Sequence, residues 1–249
     1  MERLGDMKAF IKISLLFSLA LIASSCRNTE QATKPEVLDR VRLSPVEGET
    51  WVYQVKVTLD SAAAQVPKSL LKLGPEGIKT SYEKRRRYLG LRAPREGAEK
   101  VYCFEITEDG KVTELEYTFQ TEEGIFTRGS QKVGQTLMLM EPPVLIIPAQ
   151  RLPGESWQMG LPNPNDPTGP PMVFRRFSYF GVEELPVMDD VSAAHRVRIL
   201  GKTGPIELQR DLYYSNKVGF VQDRRAYFSP EQRLALIEET LVEHIVPGE

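Results

Sequence analysis

Two tryptophans, the only ones in the chain, sit in the same short frame 106 positions apart. Gly48-Glu49-Thr50-Trp51 follows Pro45, and Gly154-Glu155-Ser156-Trp157 follows Pro153. A second landmark recurs in the same order: Glu114-Leu115 stands ten residues before Gly124-Ile125, and Glu207-Leu208 twelve residues before Gly219-Phe220. Self-similarity at so long a period points to a duplicated domain rather than a solenoid, whose repeats run about 20–50 residues. The first tryptophan opens TWVYQVKVTL, where Trp51, Tyr53, Val55, Val57 and Leu59 alternate with Val52, Gln54, Lys56 and Thr58. That is the period of two of a strand with one buried face.

The same period recurs along the chain. KVTELEYTFQ sets Thr113, Leu115, Tyr117 and Phe119 against Glu114 and Glu116, and it follows the turn signal Asp109-Gly110. A hairpin from Val101 to Gln120 is expected. VFRRFSYFGV, HRVRIL, PIELQRDLYY, GFVQDRRAYF and LALIEETLVEHIV read as strands of the second half, with Ser229-Pro230 as the turn between the last two. Helical signal is brief, as in KSLLKL (Lys68 to Leu73), which Gly74 and Pro75 cut off. The Pro-rich stretch Leu161 to Met172 reads as a loop. The expected class is mainly β with little helix: antiparallel sheets, in duplicated half-domains that form a sandwich or a curved, partly closed barrel, arrangements that limit exposed edges.

The N-terminus reads as a targeting segment. Lys8 and Lys12 flank an uncharged run whose apolar centre, Ile13 to Ile22, is too short to span a bilayer and gives way to small residues before Cys26. Translation starts at Met1 or at Met7; Glu2 and Asp6 weaken the positive charge of the longer version. Ile22-Ala23-Ser24-Ser25-Cys26 resembles the lipobox of bacterial lipoproteins, with Ala23 where many carry Leu. The resemblance implies cleavage before Cys26, acylation of its sulfur, and an anchor that needs no further membrane contact. Arg27, in place of an aspartate that would favour inner-membrane retention in enteric bacteria, implies the outer membrane with the domain facing the periplasm. The expected organisation is a signal peptide (1–25), a polar tether (26–47), a first β half (48–147) and a second (148–249).

Removing residues 1–25 takes away Arg3, Lys8 and Lys12 and the acids Glu2 and Asp6, leaving 29 basic against 32 acidic residues. That balance gives no general attraction to nucleic acid. With Cys26 acylated, Cys103 has no intrachain partner, and in KVYCFEIT it reads as a small buried apolar residue.

From Pro45 to Val246 the chain resembles a group of Gram-negative envelope lipoproteins of unknown function, with duplicated β domains in which a Gly-x-x-Trp strand opens each half. A curved sheet on a lipid anchor also resembles the outer-membrane receptor that accepts lipoproteins during their transport, although no residue signature carries that activity over. The resemblance implies architecture and location.

Motifs of catalysis are missing. His195 and His244 are the only histidines, each on an expected strand without a nearby second ligand, so no metal site or other cofactor is expected. His244 reads as a solvated surface residue, since Glu243 beside it faces the other way. Neither G-x-S-x-G nor a Gly-rich nucleotide loop occurs. Asp189-Asp190 and Glu238-Glu239 read as turn or surface acids, because adjacent strand residues diverge. In the run Lys84-Arg85-Arg86-Arg87, Lys84 and Arg86 would face one way and Arg85 and Arg87 the other, with Arg175-Arg176 comparably placed in the second half. A solvated edge strand is one reading of this run; contact of Arg85 and Arg87 with a headgroup or polyanion is the other. LMLMEPPVLIIP, Leu137 to Pro148, reads as a central strand and link between the halves, or as the lining of an apolar pocket in which Met138 and Met140 adapt to a greasy ligand. The expected function is non-enzymatic: a protein on the membrane through acyl chains at Cys26, binding an apolar ligand or an envelope partner. A hydrolase with an unfamiliar site and a structural subunit of an envelope complex are the competing classes.

Overall fold

The structure, a computed structural model, describes residues 43–60, 71–74, 77–161, 173–188, 190–203 and 205–248, all within the unit Leu38–Glu249. The signal peptide, Cys26, most of the tether, Lys68 to Leu70 of the expected helical turn, nearly all of the Pro-rich loop and the side chains of Asp189 and Asp190 lie outside the described residues.

Fourteen strands and no helix occur among the described residues. They are β1 (Thr50–Leu59), β2 (Leu73–Gly74), β3 (Gly77–Ile78), β4 (Ser81–Arg92), β5 (Val101–Glu108), β6 (Lys111–Thr121), β7 (Gly124–Lys132), β8 (Met138–Pro148), β9 (Ser156–Leu161), β10 (Val173–Val187), β11 (Asp190–Thr203), β12 (Ile206–Ser215), β13 (Gly219–Phe228) and β14 (Arg233–Ile245). All but β2 and β3 form one antiparallel sheet in the order β8-β7-β6-β5-β4-β1-β14-β13-β12-β11-β10-β9. The two edge strands, β8 and β9, approach each other without a ladder of hydrogen bonds, so the sheet is nearly closed into a barrel. Of the two expected arrangements, the curved, partly closed barrel is the one found. The small pair β2-β3 stands apart.

Each half contributes six strands in sequence, and the Gly-Glu-x-Trp frame opens each set. Gly48, at φ 90°, donates its N–H to Tyr88 O at 2.9 Å, and Tyr88 N–H returns to Glu49 O at 2.9 Å. Gly154, at φ 93°, donates to Tyr179 O at 2.8 Å, and Tyr179 N–H returns to Glu155 O at 2.9 Å. Both turns need a left-handed residue at the same point, which explains the glycine. The second landmark keeps its order but not its register. Glu114 lies two residues from Glu116, the residue in the row of Tyr88 and Phe104, whereas Glu207 lies five from Leu212, in the row of Tyr179 and Val197.

The hairpin of β5 and β6 turns at Asp109 and Gly110, both at positive φ (49° and 75°), the two-residue geometry whose twist suits antiparallel strands. Alternation along β1 buries Trp51, Tyr53, Val55 and Val57. They join two clusters: one around Trp51, Tyr53, Phe104, Phe177, Tyr179 and Tyr214, the other around Val55, Val57, Tyr227, Leu234 and Ile237. Large side chains buried this completely contribute about 1.5–3 kcal/mol each.

Two expectations are corrected. The stretch Leu137 to Pro148 is not a central strand: β8 is a sheet edge, where Pro142 and Pro143, lacking N–H donors, break no ladder. The run Lys84 to Arg87 is not an edge: β4 is hydrogen-bonded between β1 and β5, so its charges are not there to protect a free strand.

Candidate ligand-binding cavity

Between the two core clusters the barrel interior holds a partly open cavity of about 420 Å³, within the range of small-molecule sites, about 300–1,000 Å³. Strand alternation decides its lining. On β4, Tyr82, Lys84, Arg86 and Tyr88 point inward while Arg85 and Arg87 are exposed outside. On β8, Met138, Met140, Val144 and Ile146 supply an apolar wall, joined by Phe177, Leu212 and Phe220. On β12, β13 and β14, Arg210, Asp223 and Glu239 face inward between apolar neighbours. Gly129 on β7 is required by a close approach: a β-carbon there would lie 2.3 Å from Met138 O, so a side chain would force β8 away from the cavity rim.

Charges inside the barrel are paired by geometry. Arg86 donates from Nε to Glu116 Oε2 at 3.0 Å while its guanidinium sits 3.4 Å from the ring centroid of Phe104. Lys84 Nζ donates to Glu239 Oε2 at 2.8 Å, and Arg225 engages Glu239 Oε1. Arg210 makes two bonds to Asp223, at 2.9 and 2.7 Å, the fork geometry that suits a carboxylate. Burial raises the carboxyl of Asp223, but Arg210 and Arg225 overcome this and hold it well below its ordinary value. Glu116 follows the same pattern: burial pushes up, Arg86 and Lys84 pull further down. Burial lowers Lys84, with the Arg225 charge adding to it. Such a network is weak evidence for net stabilisation, yet removing any one member leaves a buried charge uncompensated.

The residues singled out from sequence divide between the barrel's two faces. Met138 and Met140 border the cavity; Arg85 and Arg87 do not, and Arg85 pairs with Glu83 at 2.6 Å on the outside. His244 is corrected: it is half-buried, its Nε2 is 2.6 Å from Glu49 Oε1, and its ring stacks on Trp51 at 5.4 Å. Its partner comes from the opening turn of β1, across the sheet rather than next in sequence. His195 is buried and meets the Tyr179 hydroxyl at 2.8 Å; burial depresses the imidazole and pushes the phenol up to about 12. The pair Glu238-Glu239 does diverge, but only Glu238 is a surface acid, facing Arg224 at 3.2 Å; Glu239 is a cavity residue. Cys103 is fully buried, and burial raises its thiol. Among the described residues no cluster of three or more His, Cys, Asp or Glu could hold a metal ion. Sequence reasoning missed Glu116, Arg210 and Asp223. The signal was present: Arg210 lies two residues from both Leu208 and Leu212, a charge on an otherwise apolar strand face.

No protein-family model and no curated protein sequence matches the chain. Two solved structures are similar over 83% of this chain and 99% of their own. One is a protein of Parabacteroides distasonis described as a lipoprotein, with a TM-score of 0.37 and 11% identity. The other is a Bacteroides fragilis protein described as exported and YmcC-like in fold, with a TM-score of 0.34 and 10% identity. At such identity the likeness assigns no residue a role.

Proposed function

We propose that this chain is a lipid-anchored envelope protein, non-enzymatic, whose barrel holds an apolar ligand. The observation that carries the reading is the cavity of about 420 Å³ walled by Met138, Met140, Val144 and Ile146 on β8, an edge strand that no ladder joins to β9 among the described residues. Methionines adapt to irregular hydrocarbon shapes. An edge strand without a ladder on one side can move outward at lower cost than a strand bonded on both sides, which supplies a way in. The targeting segment and Cys26 support placement at a membrane, and Arg27 supports the outer membrane facing the periplasm.

One preparation tests both parts. Protein purified from the envelope is expected to carry the added mass of acyl chains at Cys26 and to release, on organic extraction, a further apolar compound at about one equivalent. The Cys26→Ala chain is expected to lose the added mass and to leave the outer-membrane fraction. Unchanged mass and fractionation in that variant contradict the anchor; an extract holding nothing beyond the anchor contradicts the ligand.

A further inference from the structure

The turns that open the two halves place two cations at matching points of the barrel interior. Lys84 lies four residues before Tyr88 and Arg175 four before Tyr179, and each tyrosine makes the same pair of backbone hydrogen bonds to its Gly-Glu turn. Both cations line the cavity. Lys84 has a carboxylate, Glu239, at 2.8 Å. The Arg175 guanidinium has no ion pair and no hydrogen bond to any described residue. Its stem packs where β11 has no side chain: a β-carbon on Gly201 would lie 3.3 Å from Arg175 Cγ.

An uncompensated guanidinium in a partly buried site is unfavourable. Burial, with the Arg210 charge, lowers the pKa of Arg175, so the apoprotein gains nothing in stability from this charge. We propose that Arg175 receives the anionic head of a single-headed amphiphile, a long-chain carboxylate or phosphate monoester, whose hydrocarbon part lies against Met138, Met140, Val144 and Ile146. This rests on the cavity being a ligand site and names the ligand's class. A neutral hydrocarbon leaves Arg175 unpaired. A cationic amphiphile is repelled by Arg175 and would have Glu114 alone to pair with, since Glu116, Asp223 and Glu239 are already engaged by Arg86, Arg210, Lys84 and Arg225. Glu114, the lining acid without an ion pair among the described residues, favours the singly charged carboxylate over the phosphate monoester, which carries close to two charges at neutral pH. A guanidinium matches both carboxylate and phosphate through two parallel hydrogen bonds.

Three photoreactive long-chain probes test this on the full-length lipoprotein in phosphatidylcholine vesicles: a fatty acid, an alkyl phosphate and the neutral methyl ester of the acid. Peptides of β8 and β10 are expected to be labelled by at least one anion about tenfold more than by the ester. The stronger anion identifies the headgroup. In Arg175→Met the preference is expected to fall to about one with the melting temperature unchanged or higher, and in Arg175→Lys a reduced preference is expected to remain. Equal labelling by anions and ester in the wild type, or an undiminished preference in a folded Arg175→Met, overturns the proposal and leaves the apolar cavity standing. No labelling of these strands by any of the three overturns both.

Discussion

Replacing Asp223 by alanine is expected to lower the stability of the folded chain by about 3–5 kcal/mol, the cost of leaving buried cations without their acid. Asp223 takes both hydrogen bonds of Arg210 and lies 3.2 Å from Arg225 Nε, deep in the barrel wall. The loss comes from the guanidinium groups left behind rather than from the carboxylate itself. Replacing Arg210 by methionine in the same chain is therefore expected to recover part of it, since Arg225 retains Glu239. Urea unfolding of the two variants measures the difference, and equal stabilities would show that the pair is not coupled. The same carboxylates set the acid response. Asp223 and Glu116 are held below their ordinary values in the folded state, so the stability they contribute is present above the unfolded carboxyl range, about pH 4, and is lost as pH falls through their folded values. The Asp223→Ala chain is expected to show a shallower acid limb.

The second large effect falls on the opening strand. Trp51→Ala is expected to cost about 3–5 kcal/mol, because the indole is 4% exposed, donates its N–H to Val218 O at 2.6 Å and packs edge-on to Phe104. It also stacks with His244, so its loss frees the His244–Glu49 contact that ties β14 to the turn before β1. Trp157 occupies the same frame in the second half but is only half-buried at the barrel edge, and its N–H has no hydrogen-bond partner among the described residues. Trp157→Ala is expected to cost less than half as much. Equal losses in chemical denaturation would mean that the two halves do not differ as β1, central, and β9, an edge, imply.

The fold class was legible because strand alternation is a local property. Trp51 to Leu59 announces one buried face with no knowledge of what covers it, and Asp109-Gly110 announces its turn through backbone conformation alone. Strand order was not legible. Nothing within Leu137 to Pro148 says whether a strand of that hydrophobicity is central or an edge, and Pro142 and Pro143 were the only pointers. That Lys84 and Arg86 face one way and Arg85 and Arg87 the other followed from alternation, but which pair entered the barrel depended on the register with β1, a contact between residues far apart in sequence. The cavity acids were hidden for the same reason. Glu116 and Glu239 look like ordinary surface carboxylates until β4 brings Arg86 and Lys84 beside them. Arg175, adjacent to Arg176, is distinguished by the lack of an acid facing its guanidinium among the described residues.

The central claim is that hydrocarbon occupies the barrel interior, and filling that interior tests it most directly. Met140→Trp puts a bulky indole in place of a flexible thioether at the apolar wall of β8, at a stability cost of about 1–3 kcal/mol that leaves the chain folded. Wild type and variant would be purified side by side from the envelope, and the extractable apolar compound per mole of protein measured by mass spectrometry. The account predicts about one equivalent in the wild type and a loss of most of it in Met140→Trp, with the acyl anchor unchanged in both. The same amount in a folded Met140→Trp chain would contradict it.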